Sequence, residues 1–349
     1  MKLGVGIVGA GPVVQSIHLP TLARLTDSFR IAMIMDTQPD LARTVADRVG
    51  ARSTTELDSL LSDPGVDVVA ICSPQQFHAD QVIAALRAGK RAVLCEKPLA
   101  ISHAQAAAIG TAARETRVPL LVGAMHVFDP TWLAIAEELT HLRRQAHTIR
   151  SSIVLPFNEH FETMATQVPE RPVATMPEQD GQDARAAMIE LAVLALAIHD
   201  LPLVRCFLPD ARASVTAAEF LPPFGYGISV RARDTVIDIS GAMQGHWQPQ
   251  WQFEAISDTQ RLQLDFTPSF VHAGSATATL TSAWSGGHRC ATLGGFEHNG
   301  YQAEWSMVAQ AAGGNLQQIP TIDQVITDIE FAVSIAQESA ALQYGGVRR

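Results

Sequence analysis

Short apolar runs alternate with amphipathic segments along the first 124 residues of the chain. Apolar runs with almost no polar positions are typical of strands that are buried on both faces of a parallel sheet. The pattern predicts strands at Leu3–Val8, Arg30–Met35, Val66–Ile71, Ala92–Cys95 and Leu120–Val122. The amphipathic segments predict helices that begin near Pro12, Pro39, Glu56, His78 and His103. Residues 1–124 are therefore predicted to form an α/β domain around a parallel sheet.

The pattern changes beyond residue 125, where apolar and polar positions alternate with a period of two. The segments "YGISVRARDTVIDISGAM" and "WQFEAISDTQRLQLDF" show this alternation, which is typical of a sheet with one covered and one open face. We expect residues 125–349 to form a second domain around such a sheet. We also expect one helix over "FDPTWLAIAEELTHL", an irregular loop over 156–185, and a closing helix that begins at Thr321 or Asp323.

The composition is that of a soluble globular protein, and the length exceeds what one ordinary core requires. The 349 residues are 47% hydrophobic and carry a formal net charge of −10. An acidic chain offers no basic surface for nucleic acid or for an anionic membrane. The composition therefore argues against both partners, and the length predicts two domains.

Cysteine spacing and apolar segments bear on the cellular compartment. The four cysteines are scattered without the paired spacing of a zinc site, so we expect reduced thiols and no metal site. The apolar N-terminal run enters a glycine turn instead of a cleavage site. The longest apolar stretch, 186–198, is shorter than the roughly 20 residues that span a bilayer. We therefore expect a cytoplasmic protein.

The segment "VGIVGAGPVV" places a glycine turn between the first strand and the first helix. Gly9 permits the turn, and Gly11 permits close approach of the backbone to a pyrophosphate. Pro12 and Val13 begin the helix whose N-terminal amides point at the phosphates. Val14 stands where the usual motif has a third glycine, so the packing of helix on strand must loosen or change. The alternative is a tight turn that binds nothing.

The second predicted strand ends in Asp36, at the spacing where a carboxylate accepts hydrogen bonds from an adenosine ribose. No arginine follows immediately to hold a 2′-phosphate, so NAD is favoured over NADP. Arg43 is near enough in sequence to keep NADP open. The alternative role for Asp36 is a helix cap.

Two further segments follow the carboxyl ends of predicted strands, where ligands bind in doubly wound sheets. The first contains Ser73, Pro74 and His78, and His78 either caps its helix or takes part in chemistry. The second is "VLCEKPLA", which places Glu96 and Lys97 at the mouth of the predicted site. A lysine partly desolvated against a bound nicotinamide polarises a hydroxyl or carbonyl oxygen. The alternative is a Glu–Lys surface pair.

The ordered set of glycine turn, Asp36, "SPQQFH", "AGKRAVLCEKPLA" and His199-Asp200 resembles the Gfo/Idh/MocA oxidoreductases, the group of glucose-fructose oxidoreductase and inositol dehydrogenase. The resemblance implies an N-terminal Rossmann domain for NAD(P) and a C-terminal α+β domain with a large, open, mostly antiparallel sheet. That sheet lines the substrate and builds a homodimer or homotetramer. The implied reaction is hydride transfer between the nicotinamide and a sugar, polyol or related secondary alcohol. Lys97 and His199 match the catalytic residues of the family.

One departure from the family concerns the helix that leads to His199. The family has an Asp four residues before this histidine, on the same helical face, and Ala195 stands there instead. Glu190 and the adjacent Asp200 are expected to point elsewhere. The alternative role for His199 is a polar residue at the end of an alanine-rich core helix.

A second histidine, His126, follows the last strand of the first domain at a position where the family contacts substrate. We consider His126 a candidate substrate contact or substitute acid/base, and Asp200 a further candidate substrate residue. The alternative for His126 is a linker residue between the domains.

Three hypotheses follow for the whole chain. The first is an NAD(P)-dependent dehydrogenase or reductase that acts on the CH–OH group of a small polar substrate. The second is a dinucleotide-binding regulatory protein that has lost turnover, which Ala195 and Val14 favour. The third is a reductase of an imine or of another biosynthetic intermediate.

Overall fold

The computed structural model describes residues 2–166, 168, 181–208, 212–244, 248–267 and 274–344. They form two compact units. The first unit comprises Met1–Gly123, Phe161–Val173 and Tyr301–Glu330, and the second comprises Ala124–His160, Ala174–Gly300 and Phe331–Arg349. The sequence predicts a division between residues 124 and 125, and this division stays a prediction.

A six-stranded parallel sheet forms the centre of the first unit. Its strands are β1 Leu3–Val8, β2 Phe29–Met35, β3 Arg52–Thr54, β4 Val68–Ile71, β5 Ala92–Glu96 and β6 Leu120–Gly123. Their order in the sheet is β3-β2-β1-β4-β5-β6, the order of a Rossmann fold. Every residue of β1, β4 and β5 is buried, which explains the continuous apolar runs in the sequence.

The five predicted strands of this sheet are confirmed, each with ends within two residues of the prediction. The edge strand β3 was not predicted, because its three residues are polar and half to fully exposed and carry no apolar signal. The helices that alternate with the strands are α1 Leu19–Arg24, α2 Pro39–Arg48, α3 Leu57–Ser62, α4 His78–Arg87 and α5 His103–Thr116. The starts of α2 to α5 agree with the predicted ones, and α1 continues a helical run that begins at Pro12.

The turn after β1 depends on Gly9. Its φ is +98°, a region that side chains with a Cβ rarely adopt, and a Cβ there would lie 2.7 Å from the carbonyl oxygen of Cys72. The helical run that begins at Pro12 opens with a π-helical segment, Val14–His18, before α1. Val14 is fully buried at the position of the missing third glycine.

An eight-stranded sheet forms the centre of the second unit. Its strands are β7 Thr148–Leu155, β8 Ser214–Phe220, β9 Gly225–Ala232, β10 Thr235–Met243, β11 Gln250–Ile256, β12 Gln260–Asp265, β13 Thr277–Trp284 and β14 Gly287–Gly294. Their order is β14-β13-β12-β11-β7-β10-β9-β8. Among the described strands of this second sheet, only β7 and β10 pair in parallel. Buried and exposed residues alternate along β7, β10 and β11, so the predicted α/β plus α+β fold class is confirmed.

The remaining helices are α6 Pro130–Ile135, α7 Thr140–Gln145, α8 Asn158–Ala165, α9 Gln182–Ala195, α10 Leu201–Arg205, α11 Gly300–Ala312 and α12 Ile322–Leu342. Helix α9 packs on β8 and β9, and α6 packs on β13 and β14. In the described part of the chain, no helix combines the length and apolar composition needed to cross a lipid bilayer.

Two predictions for the second half of the chain need correction. The single helix predicted over "FDPTWLAIAEELTHL" is two helices, α6 and α7, because Glu138 and Thr140 make i→i−3 hydrogen bonds in the turn between them. The irregular loop predicted over 156–185 contains α8 and the start of α9. Residues 167 and 169–180 of that loop lie outside the described residues.

Candidate active site

The candidate nucleotide site lies in the first unit, where the glycine turn follows β1. Gly11 has no other atom within 4 Å of the position that a Cβ would take, so space is open beside its backbone. Pro12 and Val13 are the first helical residues after it, and both are half-buried. The open space next to backbone amides at the start of a helical run fits the pyrophosphate of a dinucleotide.

Asp36 follows β2, and its carboxylate is fixed beside the glycine turn. The backbone amides of Ala10 and Gln38 donate to its two oxygens, each over 2.9 Å. Each carboxylate oxygen has a second lone pair, so the group can still accept from the two hydroxyls of a ribose. Arg43 contacts the exposed Asp40 instead of extending towards Asp36. These residues therefore fit an adenosine ribose without a 2′-phosphate.

The segment after β4 is tied to the segment after β5 through His78. This buried imidazole has its Nδ1 2.8 Å from the carbonyl oxygen of Pro98 and its Nε2 2.7 Å from that of Ser73. The Ser73 hydroxyl lies 2.5 Å from Gln81, and Pro74 precedes a 3-10 turn at Gln75–Phe77. His78 thus joins two loops at the carboxyl edge of the sheet, with both ring nitrogens directed at backbone oxygens.

Glu96 ends β5, and Lys97 follows it at the same edge of the sheet. The Glu96 side chain is buried, whereas Lys97 is partly exposed. Burial lowers the pKa of Lys97, and the neighbouring Glu96 charge opposes this by raising it. The Lys97–Pro98 peptide is cis. A partly desolvated ammonium at the carboxyl end of a Rossmann strand is able to polarise a substrate oxygen.

A hydrogen-bond relay that the sequence did not reveal holds Glu96. The indole Nε1 of Trp305 lies 3.1 Å from His18 Nδ1, and His18 Nε2 lies 2.9 Å from Glu96 Oε1. An indole N–H only donates, so His18 Nδ1 must be the acceptor and carries no proton. The proton of the imidazole therefore sits on Nε2 and is donated to Glu96. His18 is fully buried, and Trp305 is too.

Two influences on His18 oppose each other. Burial lowers the pKa of His18, whereas the neighbouring Cys72 and Glu96 raise it. Cys72 raises the pKa of His18 only as a thiolate. Burial raises the pKa of this thiol and keeps it neutral. The Trp305 contact also requires an unprotonated Nδ1. We therefore assign His18 the neutral Nε2–H form, which leaves the full negative charge on Glu96.

Glu96 keeps its charge although it is buried. Burial raises its pKa, but the hydrogen bond and charge of His18, followed by Lys97, lower it on balance. Because His18 is neutral, it lowers the pKa of Glu96 mainly through its hydrogen bond. The backbone amide of Lys97 also donates to Oε2 over 3.2 Å.

A second carboxyl group, Glu304, lies near Glu96 and was not predicted to be part of any site. It is fully buried, and neither of its oxygens has a hydrogen-bond partner among the described residues. Burial and then the Glu96 charge raise its pKa well above the ordinary value. Glu304 is therefore a neutral carboxylic acid at pH 7.

The second unit contains a separate cluster that includes three predicted residues. His126 Nδ1 lies 2.6 Å from Asp200 Oδ1, and both side chains are buried. The ring centroid of His199 lies 5.7 Å from that of His126. Asp200 therefore pairs with His126, which lies 74 positions away in the chain.

Two residues that the sequence did not single out for this role complete the cluster. The Ser151 hydroxyl and the Trp251 indole donate to Asp200 Oδ2 over 2.5 and 2.8 Å. Ser151 occupies a buried position on β7, and Trp251 one on β11. The only signal for Ser151 in the sequence is a serine at a position of β7 where the alternating pattern places apolar residues.

Comparison with known proteins supports the nucleotide site. Residues 3–124 match the model of an oxidoreductase family with an NAD-binding Rossmann fold. The inositol 2-dehydrogenase of Acidothermus cellulolyticus is 35% identical over 39% of this chain and 40% of that protein. The inositol 2-dehydrogenase of Rhizobium meliloti is 26% identical over 62% of this chain and 58% of that protein. The chain thus spans about 40–58% of the length of these curated relatives.

A solved structure shares the fold of nearly the whole chain. The 3-ketoreductase of Actinomadura kijaniata, solved with NADP and TDP-benzene, has a TM-score of 0.70 and 19% identity, and the match covers 96% of each chain. At this level of identity the likeness concerns the fold alone.

The relay predicts one protonation form of His18. In ¹⁵N-labelled protein at pH 7, long-range ¹H–¹⁵N spectra should show an unprotonated Nδ1 and a protonated Nε2 for this residue, assigned with His18→Gln. Trp305→Phe removes the donor to Nδ1 and should promote protonation of that nitrogen. Trp132→Phe, a buried tryptophan of the second unit, is the control and should leave the His18 signals in place. Two protonated nitrogens in the wild-type ring would contradict the assignment.

The burial of Glu304 predicts a pH-dependent stability. In the unfolded chain this group ionises near pH ~4.3. Above that pH the folded protein binds more protons than the unfolded one, so this group's contribution to the unfolding free energy falls as pH rises, by at most about 1.4 kcal/mol per pH unit. Glu304→Gln removes that contribution, so its stability relative to wild type should increase from pH 5 to pH 8 in urea unfolding. Exposed Glu297→Gln is the control, and parallel curves for wild type and Glu304→Gln would contradict the account.

Proposed function

We propose that the chain, whose residues 3–124 match the Gfo/Idh/MocA oxidoreductase family, transfers a hydride between a nicotinamide cofactor and a small polar substrate. The substrate class is a sugar, a polyol or a related secondary alcohol or ketone. The family resemblance stated from the sequence is confirmed over residues 3–124, together with the NAD-binding Rossmann fold.

One observation carries the proposal. The glycine turn, Asp36 and the Glu96–Lys97 pair follow the carboxyl ends of β1, β2 and β5 in one parallel sheet of Rossmann order. Ligands of doubly wound sheets bind at this edge. The same edge therefore offers groups for the pyrophosphate, the ribose and the reacting oxygen of a hydride-transfer reaction.

The residues present fit a nicotinamide dinucleotide. The open space at Gly11 and the helical run from Pro12 suit the pyrophosphate, and the anchored Asp36 carboxylate suits the ribose hydroxyls. NAD is the favoured cofactor, because no arginine is positioned at Asp36, and NADP stays the alternative. When bound, the cofactor supplies the hydride acceptor or donor. Ser73, Pro74 and His78 shape the loop beside it.

The roles of the protein groups follow from their chemistry. Lys97 donates a hydrogen bond to the reacting oxygen, and its charge stabilises negative charge that develops there. A histidine of the second unit exchanges the proton, since imidazole gives and takes protons near neutral pH. The family resemblance assigns that role to His199. The names of two relatives, both inositol 2-dehydrogenases, support a cyclic polyol as substrate.

The assembly and location belong to the same proposal. The chain forms a homodimer or homotetramer through the open face of the second sheet. Trp284, a large apolar side chain at the end of β13, is 69% exposed and supports an association there. The protein acts in the cytoplasm, where nicotinamide dinucleotides are available as exchangeable substrates.

A second candidate function rests on the departures from the family motif. Ala195 and Val14 replace residues of the family pattern, and both lie in ordered helical segments. A regulatory protein that binds the dinucleotide without turnover would tolerate both changes. Cofactor binding without activity over a broad substrate panel would favour this function.

Removal of Lys97 tests the proposed reaction. Oxidation and reduction are assayed with NAD(H) and NADP(H) over a panel of cyclic polyols, aldoses, nucleotide sugars and their ketones. Wild type should turn over at least one of these, and Lys97→Ala should lower kcat about 10²-fold or more, because it removes the group that polarises the oxygen. NADH affinity, followed by fluorescence, should change only a few-fold. Exposed Lys2→Ala is the control. Wild-type kcat in Lys97→Ala, or cofactor binding with no turnover of the panel, would contradict the proposal.

A further inference from the structure

The second unit contains a buried His–Asp pair that the family resemblance does not assign. His126 lies in a 3-10 turn, Met125–Phe128, and Asp200 lies between the turn Ala197–His199 and α10. The two side chains, joined over 2.6 Å, are 4% and 1% exposed. A charged or polar pair with so little exposure is costly unless its hydrogen bonds are well formed.

The carboxylate of Asp200 is fixed by donors from three separate elements. Oδ1 accepts from His126, and Oδ2 accepts from Ser151 on β7 and from Trp251 on β11. Because both oxygens are engaged, the carboxylate has one orientation. The position of His126 relative to the sheet is therefore set through Asp200.

The orientation of the His126 ring is fixed as well. Phe266 stacks on one face, with ring centroids 3.6 Å apart and an interplanar angle of 7°. Trp251 contacts it edge-on, with centroids 4.5 Å apart. An imidazole held between aromatic rings and tied to a carboxylate has little freedom to turn.

The contact with Asp200 also determines which nitrogen is reactive. A carboxylate accepts, so His126 Nδ1 carries the proton that it donates to Asp200. In the neutral ring the lone pair is then on Nε2. Among the described residues Nε2 has no hydrogen-bond partner. A carboxylate that fixes the tautomer and stabilises the imidazolium is the arrangement that makes a histidine an effective general base.

We propose that His126 Nε2 is the group that exchanges the substrate proton, and that Asp200 is its positioning residue. This inference rests on the proposed function and moves the acid/base role from His199 to His126. In the oxidation direction the O–H bond of the alcohol breaks and its proton forms the Nε2–H bond of His126. The C–H bond of the alcohol carbon breaks, the carbonyl bond forms, and a bound oxidised nicotinamide would accept the hydride. In reduction each transfer runs in reverse.

The replacement of the family Asp by alanine then has a physical explanation. A carboxylate four residues before His199 would serve that histidine from the same helical face. Here the carboxylate follows His199 in sequence and serves His126 on a different element. The His–carboxylate combination is kept, with a different histidine as the proton carrier.

Several titratable groups lie near His126 and have to be included in the test. Asp200 is in direct contact, Asp129 interacts with it electrostatically, and the His199 ring lies 5.7 Å away. Tyr226 is close enough to Asp200 for the carboxylate charge to help raise the pKa of that phenol. Of these groups, Asp200 is hydrogen-bonded to His126, so it is the one that the test removes.

The test compares kcat and its pH dependence in four variants of the full-length protein. His126→Asn should lower kcat about 10²-fold or more with the panel substrate that wild type oxidises fastest, because the base is lost. NADH affinity, measured by fluorescence, should change only a few-fold. His147→Gln is the matched control, since His147 also faces a carboxylate, Asp258 at 3.4 Å, but both are exposed. This control should keep the wild-type kcat.

Asp200→Asn separates a chemical role from a structural one and keeps the test valid if His126→Asn does not fold. It should move the acidic limb of the pH profile of kcat to lower pH, because the imidazolium loses its neighbouring negative charge. Destabilisation alone would lower activity without that shift. An unshifted limb in Asp200→Asn, or wild-type kcat in His126→Asn, would overturn the inference.

His199→Asn identifies which histidine carries the proton. Loss of the acidic limb in His199→Asn, with the limb retained in His126→Asn, returns the role to His199 and overturns the inference while the proposed function stands. A wild-type protein that binds NADH and oxidises or reduces no member of the panel overturns the proposed function, and the inference falls with it. The two failures are therefore distinguishable.

Discussion

The cost of burying a carboxylate governs the arrangement of the polar centre in each unit. A buried charge is stable only when protein groups replace the hydrogen bonds of water. Glu96 has His18 and the Lys97 amide, and Asp200 has His126, Ser151 and Trp251. In both centres the imidazole hydrogen-bonded to the carboxylate is held in one tautomer. Glu304, which has no such donors among the described residues, is neutral instead.

These carboxylates connect the fold to the proposed chemistry. Burial lowers the pKa of Lys97, and the Glu96 charge opposes this effect and so favours the protonated form that polarises an oxygen. The Asp200 charge orients His126 and would stabilise it when it takes up a proton. The departures at Val14 and Ala195 leave both interactions of these carboxylates, with Lys97 and with His126, in place. The departures from the family motif therefore weigh less against catalysis than the sequence suggested.

The parallel sheet could be predicted from the sequence because its strands are apolar on both faces, and only the short polar strand β3 was missed. The nucleotide turn, Asp36 and Lys97 were found because each follows a strand that the pattern located. The partners of Glu96 and Asp200 could not be found in this way. Trp305 is 287 residues from His18, and His126 is 74 residues from Asp200, and a single sequence contains no signal for such contacts. The polar turn that divides α6 from α7 was hidden by a helical pattern that continues through it.

A fluorescence titration with NADH and with NADPH, on wild type and Asp36→Ala, tests the central claim most directly. The glycine turn and the anchored Asp36 carboxylate predict saturable NADH binding to wild type that is tighter than NADPH binding. Asp36→Ala should weaken NADH binding more than NADPH binding, because the carboxylate accepts from the ribose hydroxyls of NADH. If neither cofactor bound wild type at millimolar concentration, the claim of a dinucleotide site at this sheet edge would be contradicted. If Asp36→Ala weakened both cofactors equally, the assignment of Asp36 would be.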